Sequence, residues 1–219
     1  MSDTDSFIDE VNEELKRDRL FATMRKLAPY ALAGVLILVG GAAWNEWSKA
    51  KETAAAQAFG DSILAAIENE DPEAQRAALG AIAADGDRQG ILDLLRAANE
   101  LVAEDRGAAI ALLAGVEANT ALPASYRQIA ALKRVIIGGA LIPAGEREAV
   151  LAGLAAAGQP FRPLALEQLA LLALETGDRD AALSRAQSLL QEPDVTDALR
   201  RRVAQLIVVL GGDLPGNLG

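Results

Sequence analysis

Two hydrophobic patterns divide this chain. Between Arg25-Lys26 and Glu46, nineteen uncharged residues follow one another (LAPYALAGVLILVGGAAWN), apolar on every face at helical spacing. Beyond them, apolar residues recur every three or four positions in short blocks broken by Gly, Pro, Asn and Asp. The first pattern predicts a membrane-spanning helix over Leu27–Asn45, because nineteen helical residues reach roughly 28 Å, close to a hydrocarbon core. The second predicts amphipathic helices. No period-two β-branched run of strand length stands out, so the expected fold class is all-α.

Seven strong apolar residues, Leu27, Leu32, Val35, Leu36, Ile37, Leu38 and Val39, carry the span. Together they favour insertion by roughly 2–4 kcal/mol. Pro29 is expected in the first turn, where its missing N–H costs least. Tyr30 at one end and Trp44 and Trp47 at the other suit the two membrane interfaces. Gly34 and Gly41 fall on one helix face and mark a candidate helix–helix contact. Lys16, Arg17, Arg19, Arg25 and Lys26 precede the span closely, whereas only Lys49 and Lys51 follow it closely. The positive-inside rule then places the N-terminus in the cytoplasm and the C-terminal part outside. A cleaved signal peptide is the competing reading, with Gly41-x-Ala43 or Ala54-x-Ala56 as cleavage sites. The 26 residues ahead of the apolar core carry seven acids, which favours a retained anchor over a short basic leader.

The organisation expected is a charged tail over 1–26, the span over 27–45 and a helical domain over 46–219. The tail reads as a helix starting near Ser6, with Asp9 in the position of a capping partner. Ile8, Val11 and Leu15 share one face, and Leu20, Phe21 and Met24 approach the membrane. In the domain, Ile91, Leu94, Leu95, Ala98, Leu101 and Val102 form one predicted stripe. Ala182, Ala186, Leu189 and Leu190 form a second, and Leu199, Val203, Leu206, Ile207 and Leu210 a third.

Turn residues recur in two alternating series, each advancing by roughly 36 residues. One passes through Asp85-Gly86-Asp87, Thr120–Pro123, Gly158–Pro160 and Glu192-Pro193; the other through Asn69–Pro72, Glu104–Gly107, Pro143–Gly145 and Thr176–Asp178. That alternation predicts helix hairpins at about 48–84, 88–118, 124–156 and 161–191, closed by a helix at 196–210: a degenerate tetratricopeptide-like α-solenoid. The clearest unit has Leu166, Leu169, Ala170 and Ala173 on its first helix, Gly177-Asp178 at the turn and Ala182 where the second helix crosses closely.

Composition narrows the chemistry. The chain has no cysteine and no histidine, so it has no thiol nucleophile, imidazole base, or Cys or His metal ligand. Residues 46–219 hold 16 basic and 24 acidic residues, a balance that repels phosphate backbones and argues against nucleic-acid binding. Arg200-Arg201-Arg202 reads as a solvated helix face. Glu146 and Glu148 point away from each other at helical spacing, Gly138-Gly139 lacks a phosphate-loop pattern, and Asp85-Gly86-Asp87 lacks the remaining calcium ligands. The expectation is a protein that is not an enzyme, with no cofactor and no metal.

The stretch SDTDSFIDEVNEELKRDRLFATMRK, the span, and then GGAAWNEWSKAKETAAAQAF resemble bacterial tetratricopeptide-like membrane proteins of the YfgM type, in their alphaproteobacterial form. The specific likeness lies mainly between Ser2 and Phe59. It implies a single-pass inner-membrane anchor with a periplasmic repeat domain. It also implies association with the Sec translocon and a PpiD-type periplasmic chaperone, assisting newly translocated client proteins. No catalytic residue comes with it. A structural scaffold of envelope or division machinery would use the same fold.

Overall fold

A computed structural model describes residues 3–213, except for the side chains of 3–20, 22, 23 and 31. All regular structure among the described residues is helical. The chain divides into two compact units, 1–62 and 63–219, so residues 46–62 belong with the apolar segment.

The first unit is one helix. α1 runs unbroken from Asp3 to Ile67. It already includes Ser6, which removes that residue from the N-cap position. The apolar face expected over Ile8–Leu20 lies outside the described side chains. Pro29 is likewise interior to α1 instead of opening a separate span. It removes one N–H···O=C bond from the ladder, which frees the carbonyl of Arg25 beside the charged flank. Water at a membrane interface can satisfy that group, so the helix need not break there. The first arm of the hairpin expected at 48–84 is the continuation of the same helix.

In the second unit the end of α1 is stopped locally. The Asn69 amide donates to the carbonyls of Ala65 and Ala66, at 3.3 and 2.9 Å. Asp71 then accepts from the backbone N–H groups of Glu73 and Ala74 and caps α2 (Pro72–Ala81), with Pro72 at its start. There follow α3 (Gly86–Val102), α4 (Arg106–Ala118), α5 (Ala124–Gly138), a short 3₁₀ turn (Gly139–Leu141), α6 (Ala144–Leu154), α7 (Arg162–Glu175), α8 (Arg179–Leu189) and α9 (Asp197–Val209). These helices lie between the breaks expected from the sequence.

From α2 onward each helix packs on the next, and the core forms in layers of three consecutive helices. Ala97, Leu113, Val116 and Ala130 join α3, α4 and α5. Leu132, Val135, Leu151, Leu154, Ala165 and Leu169 join α5, α6 and α7. Ala170, Ala186, Leu189, Leu199, Val203 and Ile207 join α7, α8 and α9.

Three alternate helices, α4, α6 and α8, bury residues at i, i+4 and i+7. The triplets are Ala109, Leu113 and Val116 on α4; Arg147, Leu151 and Leu154 on α6; and Ala182, Ala186 and Leu189 on α8. That spacing is one helix face. Two turns also share one geometry. Glu104 (φ 62°) precedes Asp105, whose N–H donates to the Glu100 carbonyl and whose carboxylate caps Ala108. Gly177 (φ 89°) precedes Asp178, whose N–H donates to the Ala173 carbonyl and whose carboxylate caps Ala181.

The α3 stripe expected from the sequence is displaced. Ala98, Leu101 and Val102 are exposed, while Leu92, Ala97, Asn99 and Glu100 are buried. The cause is tertiary: α3 packs against both α2 and α4, and α2 supplies polar partners. Asn99 donates to Gln75 at 2.7 Å, and Glu100 is bound by Arg76.

Candidate membrane segment and interaction surface

Along α1 the large apolar side chains are uncovered. Leu36, Leu38 and Val39 are exposed, as are Tyr30 and Ile37, at 76% and 74%. α1 is the one helix among the described residues long and apolar enough to cross a membrane, and none of its apolar window is buried. A soluble protein rarely leaves so large a contiguous apolar surface open.

Trp44 and Trp47, three residues apart on one face, pack at a 48° tilt with 5.2 Å between ring centroids. The Lys51 ammonium lies 5.5 Å from the Trp47 ring, within cation–π range. This cluster joins an apolar body to a charged tip at the end of the uncharged stretch. A Cβ added at Gly34 or Gly41 would meet nothing within 4 Å, so that face has room for another helix to approach.

The second unit carries a series of arginine–glutamate pairs between helices. Arg134 on α5 bonds Glu117 on α4 at 2.5 and 3.3 Å and Glu146 on α6 at 2.8 Å. Arg147 on α6 bonds Glu175 on α7 at 2.7 and 2.6 Å. Arg162 on α7 reaches Glu192 beyond α8 at 3.0 and 2.7 Å, and also donates to the Ala155 carbonyl. Arg202 on α9 holds buried Glu167 on α7 through two bonds of 2.8 Å. Most of these contacts are two-pronged, which fixes geometry as well as charge.

The hydrogen bonds from Arg147 and Arg162 hold Glu175 and Glu192 below the ordinary carboxylate pKa; partial burial opposes this and the opposite charge adds to it. The same bonds raise the guanidinium pKa values of Arg147 and Arg162. Arg134 is raised chiefly by its Glu117 bond, against burial, and Arg202 by its Glu167 bond.

Two grooves open between these helices. One, of about 480 Å³, is lined by Arg76, Asp93, Arg96, Asn99, Glu100 and a small-residue face of α4. Asn99 is buried there and its Oδ1 has no donor. The other, of about 330 Å³, lies between α5 and α6, where Ala131, Val150, Gly153 and Leu154 border Arg127.

Comparison with family models, curated proteins and solved structures finds no match to this chain. Among the described residues no group of three or more Asp or Glu side chains is arranged to hold a metal ion.

Arg201 and Arg202 are exposed, as a solvated helix face requires, and the same face also bonds inward. Arg202 is engaged with Glu167, and Arg200 donates to the Leu190 and Val195 carbonyls at 3.4 Å. Glu146 and Glu148 do diverge, to Arg134 and to Arg185. The arginine–glutamate pairs were missed because their partners lie 12 to 37 residues apart. Spacing alone does not say which of many carboxylates each arginine meets.

Proposed function

We propose that this protein is a membrane-tethered interaction module, anchored by Leu27–Asn45 and acting through its helical domain. The observation that carries the reading is the fully exposed apolar face of α1, bordered by Tyr30 and by the Trp44–Trp47–Lys51 cluster. Burying it in lipid removes a large unfavourable surface from water. The lysine and arginine bias supports an N-terminus inside and a domain outside the cytoplasmic membrane. The recurring buried triplets and the shared Glu104 and Gly177 turns support a tetratricopeptide-like stack of helix hairpins. Such a stack presents a long surface with no requirement for a reactive group. The resemblance of Ser2–Phe59 to the YfgM type favours the Sec translocon, a PpiD-type chaperone and newly translocated chains as partners. Tethering raises the local concentration of the domain beside them without tight intrinsic affinity.

The topology is tested by fusing alkaline phosphatase after residue 60. Activity outside the cytoplasm is expected, and a signal only from a cytoplasmic reporter overturns the assignment. Photocrosslinking from Gly34, Gly41 and the helical domain in intact membranes tests the partners. Translocon or chaperone adducts are expected; capture of division proteins alone would replace that reading with a scaffold.

A further inference from the structure

Most arginines of the second unit are matched. Arg76, Arg96, Arg134, Arg147, Arg162, Arg185 and Arg202 meet carboxylates, and Arg179 and Arg200 meet backbone carbonyls. Arg127 is different. Its side chain has no hydrogen bond or ion pair among the described residues, and its Nε is shut off from solvent without a partner. A cation partly withdrawn from water with no hydrogen-bonded counter-charge is a position proteins rarely leave unfilled.

The groove that Arg127 borders has a specific composition. Ala124, Ala131, Ala149 and Gly153 keep it open, and Val150 and Leu154 make its wall apolar. One carboxylate, Glu117, borders it, but two bonds from Arg134 already hold that group. The Gln128 amide is bonded to Gln159 at 2.6 Å. The groove thus combines an apolar floor with a cation that has no hydrogen-bonded counter-charge, inside a domain of net negative charge.

We propose that this groove receives the carboxyl terminus of a partner polypeptide ending in an aliphatic residue. A chain terminus carries its carboxylate and its last side chain on the same Cα, so one residue reaches both Arg127 and the Val150–Leu154 wall. A glutamate side chain brings the charge on a flexible stem of two methylenes and offers less apolar bulk than a terminal leucine or valine. The guanidinium offers two parallel N–H donors to a carboxylate, a match that an ammonium does not reproduce. The proposal deepens the interaction-module reading and rests on it.

The test is a fluorescence anisotropy titration of the full chain in lipid nanodiscs. The probes are a fluorescein-labelled Gly-Gly-Ser-Ala-Leu peptide with a free carboxylate, its C-terminal amide, and an amidated peptide with glutamate before the final leucine. The free acid should bind, and amidation or Arg127→Gln should each weaken it at least tenfold. Arg127→Lys should fall between. Ala149→Leu, which narrows the groove from the α6 side, should also weaken binding. Arg127→Gln removes no internal pair, so its thermal melt should match the parent and separate lost binding from lost fold. No binding of the free acid, equal binding of the simple amide, or indifference to Arg127→Gln overturns the proposal. Binding of the amidated glutamate peptide as tight as the free acid also overturns it, in favour of an internal acidic side chain. If the peptide fails while membrane crosslinks to partners persist, only the groove assignment falls. If the crosslinks fail as well, the module reading falls with it.

Discussion

Arg147 and Glu175 are joined by two hydrogen bonds, at 2.7 and 2.6 Å, across the contact between α6 and α7. Arg147 occupies the first position of the α6 triplet, where α4 and α8 carry Ala109 and Ala182. Its side chain is 7% exposed, and its Nε donates to the Ile142 carbonyl at 3.0 Å. A charged residue thus fills the place of a close-packing alanine because its fork is fully engaged.

Arg147→Ala should therefore destabilise the domain by roughly 2–3 kcal/mol, through the orphaned Ile142 carbonyl and the lost packing of a buried stem. Glu175→Gln should cost less, since glutamine still offers one acceptor to the buried guanidinium, although it leaves that cation without a counter-charge. Chemical denaturation of both variants checks the order; equal losses would mean that the pair, and not the buried arginine, carries the effect.

Acid should weaken the fold through Glu175 and Glu192. Both are held below the ordinary carboxylate pKa by arginine hydrogen bonds. Their contribution is complete above the unfolded value of about 4.3 and is lost as pH falls through the lower folded values. Melting temperature should drop across that window, and the Glu175→Gln, Glu192→Gln double variant should show a shallower drop. An unchanged slope would place the acid sensitivity elsewhere.

The alanines of the α8 triplet set how closely helices approach. Ala182 and Ala186 are both 0% exposed. Ala186→Leu should cost about 1–3 kcal/mol by overpacking the layer shared with α7 and α9. Leu151→Ala, at the equivalent position of α6, should cost about 2–5 kcal/mol by leaving a cavity. Denaturant midpoints would check both. A neutral Ala186→Leu would mean that the layer has slack.

Glu104 and Gly177 occupy equivalent left-handed turn positions. A side chain there costs about 1–2 kcal/mol relative to glycine. Glu104→Gly should stabilise the domain, and Gly177→Ala should destabilise it, by amounts of about that size or less. Paired thermal melts would show opposite shifts; shifts of the same sign would break the equivalence.

Much of the fold was legible in the chain because helix physics is local. Leu199, Val203 and Ile207, spaced at four, are all buried on α9, and the turn residues at Asp85, Pro123, Pro160 and Pro193 lie between observed helices. The α3 stripe was misplaced because burial of Asn99 and Glu100 depends on Gln75 and Arg76 of a neighbouring helix. Pro29 was misread as a helix start because its cost is judged locally, whereas α1 continues through it.

The sequence by itself determined most of the helices, the turns between them and the uncharged stretch, since each rests on contacts within a few residues along the chain. Tertiary structure alone decided which arginine meets which glutamate, which polar residues of α3 are buried, and that Arg127 is left without a hydrogen-bonded counter-charge. Those outcomes depend on desolvation and on groups brought together across helices, and neither is fixed by spacing along the chain.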